Sequence, residues 1–328
     1  MKSDLSLDIG PFQPENIDPS TSELNKALVK LCKADVKWWQ CGAAEYRRRR
    51  VAGETPFPQA PKVDNTSDIL VPSPEGHEIH CRVFGHDHPN PKGVFYHIHG
   101  GGYVLGSSAG QDLLLSAVSQ ATNLVIVSID YRLAPEHPFP VGLDDCRTVA
   151  DWLIENSREK WHCDFRFIGG ESAGATLSAS VLLYLREASR LDNIAGAVLN
   201  YGNYDLSILP SMTTLDPENS ALLTYEDCKQ FSNAYLPTIG RTERKSPAMS
   251  PVYNKLDGLT SALFVVGTED GCLDDTLLMA TKWQIAGNEA IVKFIPGACH
   301  GFMTFDGSKV KITRQGWDAV IQYLNEKC

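Results

Sequence analysis

Short apolar runs recur along the chain from residue 69 onward, and from the third run onward amphipathic stretches separate most of them. The eight runs are Ile69–Val71, Ile79–Phe84, Val94–Ile98, Leu124–Ile129, Phe165–Ile168, Ile194–Leu199, Ala262–Val266 and Ile291–Ile295. The amphipathic stretches are Gln111–Ala121, Gly142–Asn156, Ala173–Ala188, Asp274–Ala286 and the closing Lys309–Lys327. This alternation predicts βαβ crossovers, and therefore a mostly parallel sheet with helices on both faces. The first two runs have no helix between them, which predicts an antiparallel entry into the sheet.

Two segments fall outside this alternation. Residues 15–50 carry apolar positions at helical spacing, and Ser20 with Glu23 predicts a capping box at the start of a helix. A break with three prolines follows from Gly53 to Pro61. Residues 205–245 lack a clear strand, and a connection of that length is typical of a functional lid. We therefore divide the chain into an N-terminal cap segment (1–60), a first core part (61–204), a cap insertion (205–245) and a second core part (246–328).

The charge and the cysteines limit the possible partners and setting. A formal net charge of -10 argues against binding to nucleic acid or to an anionic membrane surface, because both are negatively charged. The chain has no apolar run of about 18 residues, and its first 14 residues lack the apolar core of a signal peptide. Nine cysteines without a Cys-x-x-Cys pair indicate free thiols in a reducing cytoplasm. The one basic cluster, Arg47–Arg50, is typical of a solvated face near a helix end.

A candidate nucleophile lies between the fifth run and the helix that follows it. Gly170-Glu171-Ser172-Ala173-Gly174 has the form Gly-x-Ser-x-Gly in the strand–turn–helix context of a nucleophile elbow. The serine of such a turn has a strained backbone, and a side chain at either glycine would strike the neighbouring strand or helix. The pattern predicts that Ser172 is a nucleophile. The alternative is a tight strand-to-helix turn built from small residues.

A glycine loop follows the third run directly, with the sequence His99-Gly100-Gly101-Gly102-Tyr103. Consecutive glycines let backbone N–H groups converge on a developing oxyanion, and the residue after the nucleophile supplies another N–H. We therefore expect Gly101, Gly102 and Ala173 to form an oxyanion hole, with His99 orienting the loop by hydrogen bonding. A phosphate-binding loop would need a Lys-Ser/Thr pair, which is absent here.

A metal site is the main alternative use of the histidines. His97 with His99, and His86 with His88, have the His-x-His spacing of a ligand pair. Neither pair has a convincing third and fourth ligand nearby in the sequence. We expect no metal and no other cofactor.

These residues resemble the hormone-sensitive-lipase-like esterases, also called bacterial family IV esterases. The glycine loop matches that family's oxyanion signature, and the ten residues Tyr131–Pro140 match its long turn, with Asp144 at the family spacing. The elbow and the dipeptide Ser250-Pro251 also match, so the resemblance runs from about residue 67 to the end. It implies an α/β-hydrolase fold with an eight-stranded, mostly parallel sheet, flanking helices and a helical cap. 

Two positions of the elbow depart from the family pattern. The family usually has Asp before the serine and a second Gly after Ser-Ala-Gly, where this chain has Glu171 and Ala175. Glu171 also makes the elbow resemble that of the cholinesterase-type carboxylesterases, but those are much longer chains. The departures affect the expected specificity rather than the chemistry. We expect Glu171 and Tyr103, which flank the serine and the glycine loop, to contact the substrate.

The base and the acid follow from chain order. In α/β-hydrolases the order is serine, acid, histidine. His300 is the only histidine after Ser172, so we predict it as the base. Four acids, Glu269, Asp270, Asp274 and Asp275, follow the seventh run. In the resembling family a second acid follows the catalytic Asp by four residues, and Asp274 gives Asp270 that spacing. Asp274 and Asp275 are then typical of first-turn helix carboxylates, which leaves Asp270, with Glu269 second, as the third member.

The predicted function is hydrolysis of a small-molecule carboxylic ester with a short-to-medium acyl group. The same triad also suits an amide, a lactone or a metabolite acetyl ester. A ligand-binding receptor on this fold is a third hypothesis, which the intact His300 argues against. We expect some of the large apolar side chains in the two cap segments to pack over the glycine loop and close an acyl pocket; these are Trp38, Trp39, Phe231, Tyr235 and Leu236. The sequence gives no indication of the oligomeric state.

Overall fold

A computed structural model describes residues 6–56 and 60–328. Eight strands form one sheet in the order β1-β2-β4-β3-β5-β6-β7-β8. The strands are β1 (Thr66–Pro72), β2 (Glu78–Phe84), β3 (Val94–Ile98), β4 (Val125–Ile129), β5 (Phe165–Glu171), β6 (Gly196–Asn200), β7 (Ser261–Gly267) and β8 (Ala290–Ile295). Strand β2 pairs antiparallel with both β1 and β4, and every other neighbouring pair is parallel. The predicted mostly parallel sheet with an antiparallel entry is confirmed.

Helices cover both faces of this sheet. The helices are α1 (Pro19–Ala34), α2 (Trp38–Cys41), α3 (Ala43–Val51), α4 (Asp112–Thr122), α5 (Val141–Trp161), α6 (Ala173–Glu187), α7 (Pro210–Thr213), α8 (Tyr225–Tyr235), α9 (Leu273–Ile285) and α10 (Lys311–Lys327). Successive residues of a strand point to opposite faces. Tyr96 therefore packs in the layer that contains residues of α5, α6 and α9, and its neighbour Phe95 packs in the layer that contains residues of α4 and α10. Strands β3, β4 and β6 are buried along their whole length, which explains their continuous apolar runs.

The N-terminal helix α1 begins one residue before the position predicted for its cap. Its N-cap is Asp18, whose side chain accepts a hydrogen bond from the Ser20 N–H at 2.9 Å. The prediction of a capping box at Ser20 and Glu23 is wrong. Pro19 suits the first helical position because it has no N–H to satisfy and its φ is already helical. The helix therefore starts at Pro19, and Asp18 caps the free N–H groups.

The two segments outside the core alternation pack against each other. Trp38 of α2 stacks on Phe231 of α8, with ring centroids 5.3 Å apart. Helix α8 begins with a capping box in which Thr224 and Asp227 bond reciprocally. The predicted limits of the four chain segments stay a prediction, and residues 1–5 and 57–59, which fall in the N-terminal segment and its proline-rich break, lie outside the described residues. Across the part of the chain that the structure describes, no helix combines the length and apolar character needed to cross a membrane.

Candidate active site

Ser172 lies in the turn between β5 and α6. Its backbone has φ 55° and ψ −121°, a conformation that L-residues rarely adopt. A Cβ atom at Gly170 would lie 2.0 Å from the Ile98 carbonyl oxygen, and one at Gly174 would lie 1.9 Å from the same atom. Both distances are far below van der Waals contact, so only glycine fits at these two positions. The tight approach of β3, β5 and α6 thus accounts for the Gly-x-Ser-x-Gly pattern.

The structure brings Ser172, His300 and Asp270 into one hydrogen-bonded series. Ser172 Oγ lies 2.8 Å from His300 Nε2. His300 Nδ1 lies 3.0 and 3.1 Å from the two carboxylate oxygens of Asp270. The Asp270 side chain is completely buried, and the Cys272 N–H also donates to its Oδ1 at 2.8 Å. The carboxylate therefore holds the imidazole with Nε2 directed at the serine hydroxyl.

The other candidate acids bind elsewhere. Glu269 Oε2 accepts a hydrogen bond from Asn25 Nδ2 of α1 at 2.9 Å. Asp274 and Asp275 lie in the first turn of α9, where the helix dipole favours carboxylates. Asp274 accepts the Ser211 N–H at 2.8 Å, and burial raises the pKa of Asp275 well above its usual value. Among the four acids of this segment, Asp270 is the one that contacts His300.

The glycine loop has a backbone that needs glycine. Gly101 and Gly102 have φ values of 113° and 62°. A Cβ at Gly102 would lie 2.3 Å from the Phe231 ring, so the cap helix α8 packs directly on the loop. Tyr103 stacks on Tyr235 of the same helix, with centroids 3.9 Å apart. The prediction that cap aromatics pack over the glycine loop and Tyr103 is confirmed for Phe231 and Tyr235.

His99 forms hydrogen bonds within the glycine loop. Its Nδ1 donates to the Gly100 carbonyl oxygen at 2.7 Å, as the sequence led us to expect. The imidazole also stacks on Tyr131, with ring centroids 4.4 Å apart, and the Tyr131 hydroxyl donates to the His99 carbonyl at 3.0 Å. Burial lowers the pKa of His99. A neutral His99 therefore joins the long turn at residues 131–140 to the glycine loop.

Glu171 is buried and holds the loop from the other side. Its Oε1 accepts from the Gly100 N–H and from Gln111 Nε2, both at 2.9 Å, and its Oε2 accepts from His97 Nε2 at 2.8 Å. Burial acts to raise the pKa of Glu171, but the His97 imidazole and the Gly100 N–H outweigh it, so the pKa lies below its usual value. Glu171 borders the active-site cavity. Its carboxylate, however, is occupied by three protein donors, and substrate contact by this residue stays a prediction.

A cavity of about 500 Å³ opens over Ser172. Seven of the eight residues predicted for the site lie in its wall, and Asp270 lies behind His300. Leu222, Leu223, Cys228, Phe231 and Cys272 form an apolar part of the wall. Sequence reasoning missed Gln111, Tyr201, Leu222, Leu223, Cys228 and Cys272. Of these, only Cys272 carried a signal, since it follows the predicted acid by two residues.

One group of potential metal ligands occurs within the described residues. Asp270, Cys272 and His300 each offer a ligand atom, and these atoms lie within 4.8 Å of one another. Asp270 and His300 are already bonded to each other, and His300 to Ser172. Burial raises the pKa of the Cys272 thiol well above its usual value, which disfavours the thiolate that a metal requires. Asp270 and His300 are therefore better explained as partners of Ser172 in the hydrogen-bonded series. Together with Cys272 they fit a metal poorly.

Known proteins share both the sequence pattern and the fold. A family model described as alpha/beta hydrolase fold matches residues 95–304. The carboxylic ester hydrolase LipN of Mycobacterium tuberculosis is 31% identical over 80% of this chain and 70% of its own length. An acetyl esterase of Salmonella agona is 27% identical over 90% of this chain and 92% of its own. A structure described as hormone-sensitive lipase from a metagenome library superposes with a TM-score of 0.78 at 24% identity, covering 95% of this chain and 98% of that one.

These matches define the class of the protein. The family model covers more than half of the chain, and LipN exceeds 30% identity over most of it. The chain belongs to the α/β-hydrolase family, and its motifs resemble those of the hormone-sensitive-lipase-like group.

Proposed function

We propose that this protein is a serine carboxylic-ester hydrolase that acts on small-molecule esters with short-to-medium acyl groups. A hydrolase of the carboxylesterase type is what its family membership and its named relatives indicate. The observation that carries the proposal is the hydrogen-bonded series from Asp270 through His300 to Ser172, which ends at the wall of a cavity. 

The proposed mechanism assigns one role to each member of this series. Ser172 Oγ attacks the ester carbonyl carbon while His300 Nε2 takes the hydroxyl proton, and Asp270 stabilises the imidazolium that forms. His300 then gives that proton to the departing alcohol, leaving an acyl group on Ser172. Water, deprotonated by His300, attacks the acyl carbon and releases the acid. His300 returns this second proton to Ser172 Oγ as the bond from Oγ to the acyl carbon breaks, which regenerates the free serine.

The negative charge of each tetrahedral intermediate needs donors beside the serine. We assign this role to the N–H groups of Gly101, Gly102 and Ala173, because the first two lie in the positive-φ glycine loop and Ala173 opens α6. The apolar wall that includes Phe231 and Cys272 then suits the acyl group. Tyr103 borders the same cavity and is assigned a substrate contact.

Covalent labelling tests the nucleophile. A fluorophosphonate probe should label the wild-type protein once, at Ser172, and should not label Ser172→Ala. Because triad members act as a unit, Ser172→Ala should also lose on the order of 10⁴ or more in kcat toward p-nitrophenyl butyrate. A variant that keeps more than about a tenth of the activity would show that another residue is the nucleophile. A wild-type protein that takes no label would favour the receptor hypothesis.

The cellular setting is also inferred. All nine cysteines are free thiols, and six of them are buried away from oxidants. A reducing compartment preserves such thiols, so we infer that the protein acts in the cytoplasm. Its net charge of -10 makes a small-molecule ester a more suitable partner than nucleic acid or an anionic membrane.

A further inference from the structure

The arginines of the basic cluster Arg47–Arg50 differ in exposure: Arg48 is exposed, whereas the other three are half-buried. Arg48 pairs only with Glu45 and Glu54 among the bonds identified for it, and more than half of its side chain is exposed. Arg47, on the same helix α3, turns toward the core and is 25% exposed. The expectation that the whole cluster is a solvated helix face is therefore wrong for Arg47. 

The Arg47 guanidinium binds two backbone carbonyls and one carboxylate. Nε donates to the Val104 carbonyl oxygen at 2.7 Å, and Nη2 donates to the Ala134 carbonyl oxygen at 2.7 Å. Nη1 and Nη2 also bind both carboxylate oxygens of Glu136, at 3.0 and 2.9 Å. A guanidinium offers five N–H donors in a fixed plane. Here these donors make four hydrogen bonds to two loops, one at Val104 and one at Ala134 and Glu136. A lysine ammonium could not reproduce this planar arrangement.

Both carbonyl groups lie in segments that hydrogen-bond to the glycine loop. Val104 follows Gly102 by two residues, and the N–H groups of Val104 and Leu105 donate to the Gly101 carbonyl at 3.2 and 2.8 Å. The Ala134 N–H in turn donates to the Tyr103 carbonyl at 2.9 Å. Val104 and Ala134 are buried, so water cannot replace the guanidinium without a rearrangement. Arg47 thus joins the cap helix α3 to the far end of the loop that carries Gly101 and Gly102.

We propose that Arg47 is a positioning residue for the oxyanion hole, acting from the cap through Val104 and Ala134. This inference rests on the proposed function, because it concerns the loop assigned to the oxyanion. Loss of the guanidinium leaves two buried carbonyls without their donor, and the positive-φ loop beside them then relaxes. The N–H groups of Gly101 and Gly102 move away from the position of the oxyanion, and transition-state binding weakens more than substrate binding.

The test compares Arg47→Met with Arg48→Met. Methionine keeps most of the aliphatic chain in both cases, and Arg48→Met removes ion pairs from the same helix without touching the loop. For each variant we would measure kcat, KM and the affinity for an aryl trifluoromethyl ketone. Ser172 Oγ adds to the carbonyl carbon of this inhibitor, its hydroxyl proton passes to His300, and the carbonyl oxygen becomes an oxyanion. All values are normalised to the fraction of sites titrated by a fluorophosphonate, so that misfolded protein does not contribute.

Arg47→Met should lose about 10- to 100-fold in kcat, less than the 10²- to 10³-fold cost of removing an oxyanion donor outright. Its affinity for the ketone should fall in parallel, while KM stays within about twofold. Arg48→Met should match the wild type within about twofold in all three. Equal effects of the two variants, or an unchanged ketone affinity in Arg47→Met, would overturn the inference.

Two further variants keep the test decisive if Arg47→Met fails to fold. Arg47→Lys retains the charge but not the planar set of donors, so it should lose kcat and ketone affinity together. Glu136→Gln leaves both carbonyl contacts of Arg47 in place and should stay close to the wild type. Arg47→Lys with wild-type values would overturn the inference. A wild-type protein without esterase activity or serine labelling would instead remove the proposed function on which the inference depends.

Discussion

At the residue scale, substitutions of the two adjacent acids Glu269 and Asp270 are expected to differ sharply in their effect on kcat. Asp270→Asn should lose roughly 10⁴ in kcat, because an amide cannot hold the imidazole in the required tautomer. Glu269→Gln should cost far less, since its carboxylate bonds to Asn25 instead of His300. Steady-state kinetics of both variants with p-nitrophenyl butyrate check this expectation. If Glu269→Gln proved the more damaging change, the triad acid would be Glu269, one residue before the position assigned to it.

Glu171 should make the stability of the protein depend on pH. Its folded-state pKa is lowered, so the ionised carboxylate stabilises the fold above the ordinary glutamate pKa of about 4.3. That stabilisation is lost as the pH falls through the lower folded-state value. Glu171→Gln removes the charged acceptor at every pH and should cost about 1–3 kcal/mol at pH 7. The difference in unfolding free energy from the wild type should then shrink below about pH 4.

Urea unfolding at pH 7, 5 and 3.5 measures this difference. The matched control is Glu155→Gln, a surface carboxylate that is 66% exposed and pairs with Arg190. Its effect should be small at all three pH values. A Glu171→Gln difference that stays the same from pH 7 to pH 3.5 would show that Glu171 is not stabilised as the ionised form.

At the scale of elements, local patterns predicted the core well. All eight strands lie within a few residues of the apolar runs, because the central strands are buried on both faces. The elbow was also predictable, since close packing against Ile98 leaves room only for glycine at positions 170 and 174. The eight candidate site residues meet at one place, although their catalytic and binding roles stay predictions.

Contacts between distant segments could not be predicted from the sequence. Neither Arg47 nor Glu171 lies in a pattern that indicates its partners, because those partners lie in segments distant in sequence and include backbone groups. The Leu222 and Leu223 side chains line the cavity because of the path that the cap insertion takes, and the sequence does not indicate that path. The Ser20 prediction failed for a different reason: Asp18 and Pro19 offered a competing start to the helix, with the N-cap two residues earlier than Ser20.

Helix α8 should set the depth of the acyl pocket through Phe231. This ring stacks on Trp38 and lies against Gly102, so Phe231→Ala opens space beside the glycine loop. The preferred acyl chain should then become longer by one or more carbons. Tyr225→Ala is the control, because Tyr225 lies on the same helix with 37% of its surface exposed. A profile of kcat/KM against acyl length for both variants checks this, and an unchanged optimum in Phe231→Ala would show that the acyl group binds elsewhere.

At the scale of the whole molecule, the cap joins parts of the chain that lie far apart in sequence. Residues before 60 supply Trp38 and Arg47, and the 205–245 insertion supplies Phe231 and Tyr235. The catalytic residues proposed here come from the ends of β5, β7 and β8. The core thus carries the chemistry, and the cap, packed on the glycine loop, limits the cavity above it. We therefore expect the cap to determine the substrate specificity.

The wild-type preference for acyl length tests this division directly. The cavity is about 500 Å³ and is shared by the acyl and alcohol parts of the substrate. Each methylene that enters apolar surroundings contributes about 0.8 kcal/mol, which is roughly fourfold in kcat/KM, until the pocket is full. The kcat/KM for p-nitrophenyl esters should therefore rise from acetate, peak at a short-to-medium chain and fall for long chains. A profile that keeps rising to long-chain, emulsified triglycerides would contradict both the closed pocket and the esterase assignment, and would make this protein a true lipase.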